Sequence, residues 1–130
     1  MQLENLPGAI EVINWFGYMP SFHDAEVIEI CLRRDADSSI AVHCWHTSNE
    51  LDEHGNFVQI KDAVVTFILT EVSDLALNEF NQQNVIFSLD VTSVDDGFVL
   101  EMQGSYGVAG TISAKSISVR LLAGKPSRGH

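Results

Sequence analysis

The feature that most limits what this chain can become is a two-residue hydrophobic rhythm. From residue 25 onward Ile28, Ile30 and Leu32 fall on one side of an extended chain, with Val27, Glu29, Cys31 and Arg33 on the other. Successive side chains of a strand point to opposite faces, so this alternation describes half-buried β-structure. The rhythm returns with Ile40, Val42 and Cys44 set against Ala41, His43 and Trp45, and the polar residues 35–38 between the two runs predict a hairpin. Residues 58–72 are apolar on both parities, Ala63, Val65, Phe67 and Leu69 opposing Val64, Thr66, Ile68 and Thr70. Such a strand is expected to be central and buried on both faces. Val85, Phe87, Leu89 and Val91 alternate next, followed by Phe98, Leu100 and Met102. Between them Asp95-Asp96-Gly97 predicts a tight turn, its Asp-Gly pair supplying the positive φ angles. In the last strand, 108–122, Ile112 and Ala114 lie on one parity and Ile117, Val119 and Leu121 on the other, which predicts a bulge near Lys115.

Residues 6–16 keep a different period. Ile10, Val12, Ile13 and Phe16 recur at spacings near three and four, the mark of a short amphipathic helix. Asn5 is its expected N-cap, Pro7 its first position and Gly17 the residue just past its end. Residues 74–80 are read as a helical turn or irregular connection, and the polar residues 48–56, closing on Gly55-Asn56, as an exposed loop. These elements predict an α+β fold: a mostly antiparallel sheet of about six strands, curved or sandwich-like, with one N-terminal helix packed on its apolar face. One domain is expected over residues 1–122, followed by a flexible polar tail, 123–130, that holds His130.

A chain of 130 residues with 45% apolar side chains buries enough surface to fold without disulfides. Cys31 and Cys44 are accordingly expected to be reduced core residues, since residues 1–10 carry no basic or continuously apolar export signal. The longest apolar stretch, 63–69, is interrupted by Thr66 and falls far short of the roughly 20 residues of a membrane-spanning helix, so a soluble, cytoplasmic protein is expected. The formal net charge is -11, and all 18 acids lie at or before Glu101, a stretch in which the only bases are Arg33, Arg34 and Lys61. Nucleic acids and anionic membranes need Lys and Arg to neutralise phosphates, and both are excluded as expected partners.

Chemistry-bearing motifs are sparse. His23, Asp24, Cys44 and His46 are the only plausible metal ligands, but His43 and His46 differ by three on a strand and point to opposite faces, so neither a metal nor a cofactor is expected. Cys31, Cys44, His43, Asp24 and Glu26 contain the residue types of a nucleophile and base, yet no spacing assembles them, and no nucleophile elbow, phosphate loop or dinucleotide fingerprint occurs. No catalytic residue is assigned. The most distinctive stretch is 15–27, where Trp15 and Phe22 are expected to wedge the helix against the sheet. His23 and Asp24 are expected to bond backbone groups at the start of the first strand.

That stretch, with Gly-Tyr-Met-Pro-Ser-Phe-His-Asp-Ala-Glu-Val after an opening helix, resembles the immunity protein 50 family of bacterial polymorphic toxin systems, as does the later segment from Gly107 to Lys115. The resemblance implies a non-catalytic inhibitor that binds and neutralises a cognate toxin domain; it implies no catalytic residues. An acidic inhibitor suits a basic target, and Glu50, Asp52, Glu53, Asp95 and Asp96 are the acids expected to contact it, Glu29 and Glu101 being held in cross-strand pairs. Two other readings compete. One is a small-ligand or metal-binding β module with its site near His23, Asp24, His43 and Trp45; the other is a homo-oligomer paired through strand edges.

Overall fold

The computed structural model describes residues 3–126. A short 3-10 turn (Leu3–Asn5) and helix α1 (Ala9–Phe16) precede six strands: β1 (Glu26–Cys31), β2 (Ser38–Leu51), β3 (Phe57–Asn78), β4 (Val85–Val94), β5 (Gly97–Tyr106) and β6 (Ala109–Ala123). All pairings are antiparallel, and the order β1-β2-β3-β6-β5-β4 closes into a barrel. The α+β class, the six antiparallel strands and the N-terminal helix are those the alternation predicts, with the expected curvature carried through to closure. The inward faces of the strands, whose parity changes within β4 and β6, supply the interior, where Ile40, Phe67, Leu69, Ile86, Leu100 and Ile112 are fully buried in one cluster. Each such side chain contributes roughly 1.5–3 kcal/mol.

Helix α1 belongs to the same core. Its Ala9, Val12 and Phe16 are buried with the barrel interior, and it packs chiefly on β6. Strand β5 pairs with β6 only between Phe98↔Ala114 and Met102↔Gly110, so the second half of β6 is left to the N-terminal segment, and the Val119 N–H donates to the Pro7 carbonyl at 2.8 Å. This contact moves the start of the helix. The N-cap is Gly8 and not Asn5, Pro7 precedes the helix, and Gly8 has φ 88° with the position of a Cβ lying 1.9 Å from the Val119 carbonyl oxygen. Only glycine fits there. Gly17 ends the helix as expected, its N–H bonded to the Ile13 carbonyl.

Other expectations shift by whole segments. Residues 74–78 continue β3, because Asp74 to Asn78 pair with Ser113 to Ala109 of β6; tertiary pairing overrides the helical look of that stretch. In β6 the parity change is present, Lys115 and Ser116 both being exposed between Ala114 and Ile117, but the register shift lies in β3 between Val72 and Asp74. At the β4–β5 turn Val94 pairs with Gly97, so the two-residue loop is Asp95-Asp96, and Gly97 serves instead the close approach of β6, a Cβ there lying 2.4 Å from the Ala114 carbonyl oxygen. The loop expected at 48–56 is shorter, residues 48–51 belonging to β2. Of the expected tail, Ala123 closes β6 and residues 127–130, including His130, lie outside the described residues. No helix is long and apolar enough to cross a membrane among the described residues.

Candidate functional site

The distinctive stretch after α1 builds the seam of the barrel. β1 and β4 share a single strand pair, Glu26↔Val85, and the rest of their junction is backbone hydrogen bonding by residues 24–27. The Asp24 N–H donates to the Ile86 carbonyl at 2.9 Å, the Ile86 N–H to Ala25 at 3.0 Å, and the Val27 N–H to Asn84 at 2.8 Å. To present these groups the chain turns sharply: Phe22 (φ 64°) and Asp24 (φ 68°) both adopt the left-handed conformation. A bulky residue there is an outlier that needs compensation. Phe22 receives it by being buried against Phe67, ring centroids 5.6 Å apart.

His23 lies between those two turns, its Nδ1 3.2 Å from the Phe87 carbonyl oxygen and its ring edge-on to the exposed Phe87 ring. The Asp24 carboxylate bonds no backbone group; its polar neighbour is His23 Nε2 at 3.6 Å, and the two side chains are 53% and 65% exposed. Trp15 donates its indole N–H to the Lys61 carbonyl at 2.9 Å, tying α1 to β3.

The four candidate metal ligands do not converge. His46 Nδ1 lies 2.6 Å from the Tyr18 hydroxyl, His23 is engaged as above, and Cys44 is buried inside the barrel. Burial, and secondarily the negative charge of Asp62, push the Cys44 thiol from 9.0 up to about 12, the opposite of what a thiolate ligand or nucleophile needs. His43 faces outward and pairs with Asp62 at 2.8 Å. No group of three or more His, Cys, Asp or Glu suited to a metal occurs among the described residues. Cys31 and Cys44 are free thiols; Cys31 pairs with Ser39, five residues along β2 from Cys44, a separation of about 17 Å that no disulfide spans.

The five acids expected at a partner surface are all exposed but sit on two different hairpins. Asp95 and Asp96 form the β4–β5 turn, which lies against β6 beside Lys115. Glu50, Asp52 and Glu53 lie at the tip of the β2–β3 hairpin, which runs on past the last β3–β6 pair, Ala63↔Ala123. Asp52 has a local duty as well: its Oδ1 accepts the N–H groups of His54 at 2.9 Å and Asn56 at 3.0 Å, ordering the turn. Glu29 and Glu101 are not ion-paired across the sheet; they stand opposite Ala41 and Asp90.

Two features escaped the sequence reading. Leu51 and Phe57 are direct cross-strand partners at the same hairpin tip and remain 60% and 58% exposed. Their signal was the apolar residues Phe57, Val58 and Ile60 directly after the Gly-Asn turn, which carry the strand back to the turn itself and leave a loop shorter than the one assigned there. The second is buried Asn84, whose Oδ1 accepts from the N–H groups of Asn81 and Val108, both at 3.0 Å, while its Nδ2 donates to the Asn81 carbonyl at 2.7 Å.

No curated protein and no solved structure matches this chain. The model of one family, immunity protein 50, does match, over residues 8–123, a span that runs from the cap of α1 to the last residue of β6 and includes both the seam and the ribbon. The chain belongs to the immunity protein 50 family.

Proposed function

We propose that this protein is a cytoplasmic immunity protein that binds and neutralises a cognate toxin domain of a bacterial polymorphic toxin system, without catalysis of its own. Membership of the immunity protein 50 family carries this reading. The surface chemistry supports it: a net charge of -11 with exposed acids at two hairpin tips suits a basic partner such as a nuclease domain. Glu50, Asp52, Glu53, Asp95 and Asp96 then act by steering, since opposite charge raises association rates toward about 10⁸–10⁹ M⁻¹s⁻¹ at low salt. Trp15, Phe22, His23 and Asp24 act as scaffold, holding the helix and the seam.

The competing small-ligand reading finds little room. The cavity shared by His23, Cys44 and Trp45 measures about 90 Å³, against roughly 300–1,000 Å³ for ordinary ligand pockets, and His43 is occupied by Asp62. The deciding experiment is co-expression with the toxin domain encoded beside this chain. Growth protection together with co-purification of the two proteins is expected; a toxin equally lethal with and without this chain would sink the reading.

A further inference from the structure

The two acidic hairpins are not equivalent, and the β2–β3 ribbon has properties that charge alone does not give it. β1 reaches no further along β2 than His43, and β6 no further along β3 than Ala63. Among the described residues, therefore, no third strand pairs with the outer edges of residues 46–51 and 57–60; the first is interrupted by a register shift between Thr47 and Leu51, and the second runs without one. Open edges are templates for another strand. The base of the ribbon is braced, Tyr18 bonding His46 and Trp15 bonding Lys61, so its tip is presented on a supported stem. At that tip Leu51 and Phe57 form an exposed apolar pair, with Ile60 also exposed below them.

We infer that this ribbon is the docking element for the toxin, which adds an extended, cationic segment to one of its open edges and covers Leu51 and Phe57. The inference rests on the immunity reading above. Charge selects the occupant: residues 46–60 contain Glu50, Asp52 and Glu53 and no Lys or Arg. Edge pairing of two copies of this chain would set those acids against one another, a repulsion that a basic segment turns into attraction. Apolar contacts at the centre of an interface hold a complex together, whereas peripheral charges govern how fast it forms. Leu51 and Phe57 therefore control dissociation, and Glu50 and Glu53 control association.

The test measures binding kinetics of the toxin domain encoded beside this chain, in a catalytically inactive form, to wild type and three variants whose folding is verified by thermal melting. Leu51→Ser with Phe57→Ser should speed dissociation by about tenfold or more while leaving association within about threefold. Glu50→Lys with Glu53→Lys, which spares the turn-forming Asp52, should slow association by about fivefold or more and flatten its salt dependence. Phe87→Ser, at the exposed aromatic beside the seam, should leave both rates within about twofold. Wild-type binding with unaffected ribbon variants, or weakened by Phe87→Ser alone, overturns the ribbon while leaving the immunity reading intact. Absence of binding by wild type overturns both. A concentration-dependent dimer that Leu51→Ser with Phe57→Ser dissolves, without effect on toxin binding, overturns the assignment of the occupant.

Discussion

Asn84 shows how much one buried amide holds together. It joins Asn81 in the β3–β4 connection to Val108 at the β5–β6 turn through three hydrogen bonds, and its own backbone carbonyl receives Val27 of β1. Asn84→Ala would leave the Val108 N–H and two Asn81 groups without these partners, so a loss of about 2–4 kcal/mol is expected in urea unfolding. A second residue-scale prediction concerns the thiols. The folded Cys44 pKa lies above its ordinary 9.0, near 12, so an unfolded chain ionises first: the contribution of the neutral thiol is intact below about pH 9 and lost as pH rises toward 12. Between about pH 8 and about pH 10.5 wild type should therefore lose more stability than Cys44→Ala, measured as the change in urea midpoint. Under native conditions an alkylating reagent should modify the half-buried Cys31 before the buried Cys44.

Among elements, the strands were legible because one buried and one outward face impose a period that local composition records. The alternation around Val42 and Leu100 survives in the structure, whereas register shifts at Val27/Glu29 in β1 and Ile86/Ser88 in β4 turn Ile30 and Ile86 toward the core and leave Phe87 exposed, against the expected parity. Segments whose conformation is set by distant partners were not legible. In Asp-Leu-Ala-Leu-Asn at 74–78 the alternation is only two leucines long, in residues that also suit a helix, and it is decided only when β6 lies beside it, while Gly8 caps α1 because the Val119 carbonyl is close, not because a polar side chain precedes the helix. The candidate site divides the same way. Acids in turns announce their exposure, but the exposure of Leu51 and Phe57 depends on β1 and β6 ending short of them. At this scale the pair Asp90↔Glu101 places two exposed acids directly opposite across β4 and β5. Asp90→Lys should convert that repulsion into attraction and raise stability by about 0.5 kcal/mol, with the gain shrinking as salt is added, measured as melting temperature at low and high ionic strength.

The whole molecule is a closed ring whose links differ in strength. β3 and β6 are paired from Ala63↔Ala123 to Asn78↔Ala109, whereas β1 and β4 share one pair and a few backbone hydrogen bonds. Amide hydrogen exchange should reflect the contrast: the Asp24, Val27 and Ile86 N–H groups are expected to exchange through local opening at lower free energy than the amides of Phe67, Leu69 and Val119. Equal protection in both sets would mean that the seam opens only with global unfolding.

That unequal ring gives the protein a defined way to fail. A barrel that parts at β1 and β4 becomes, for the lifetime of the opening, an open sheet with two fresh edges and with Phe22, Ile86 and Val27 uncovered beside them. Such a species recloses or meets another of its kind. Aggregation at high concentration should then follow the traffic through this one junction, where the backbone hydrogen bonds of residues 24–27 are the latch and the left-handed turns at Phe22 and Asp24 are the strain they hold.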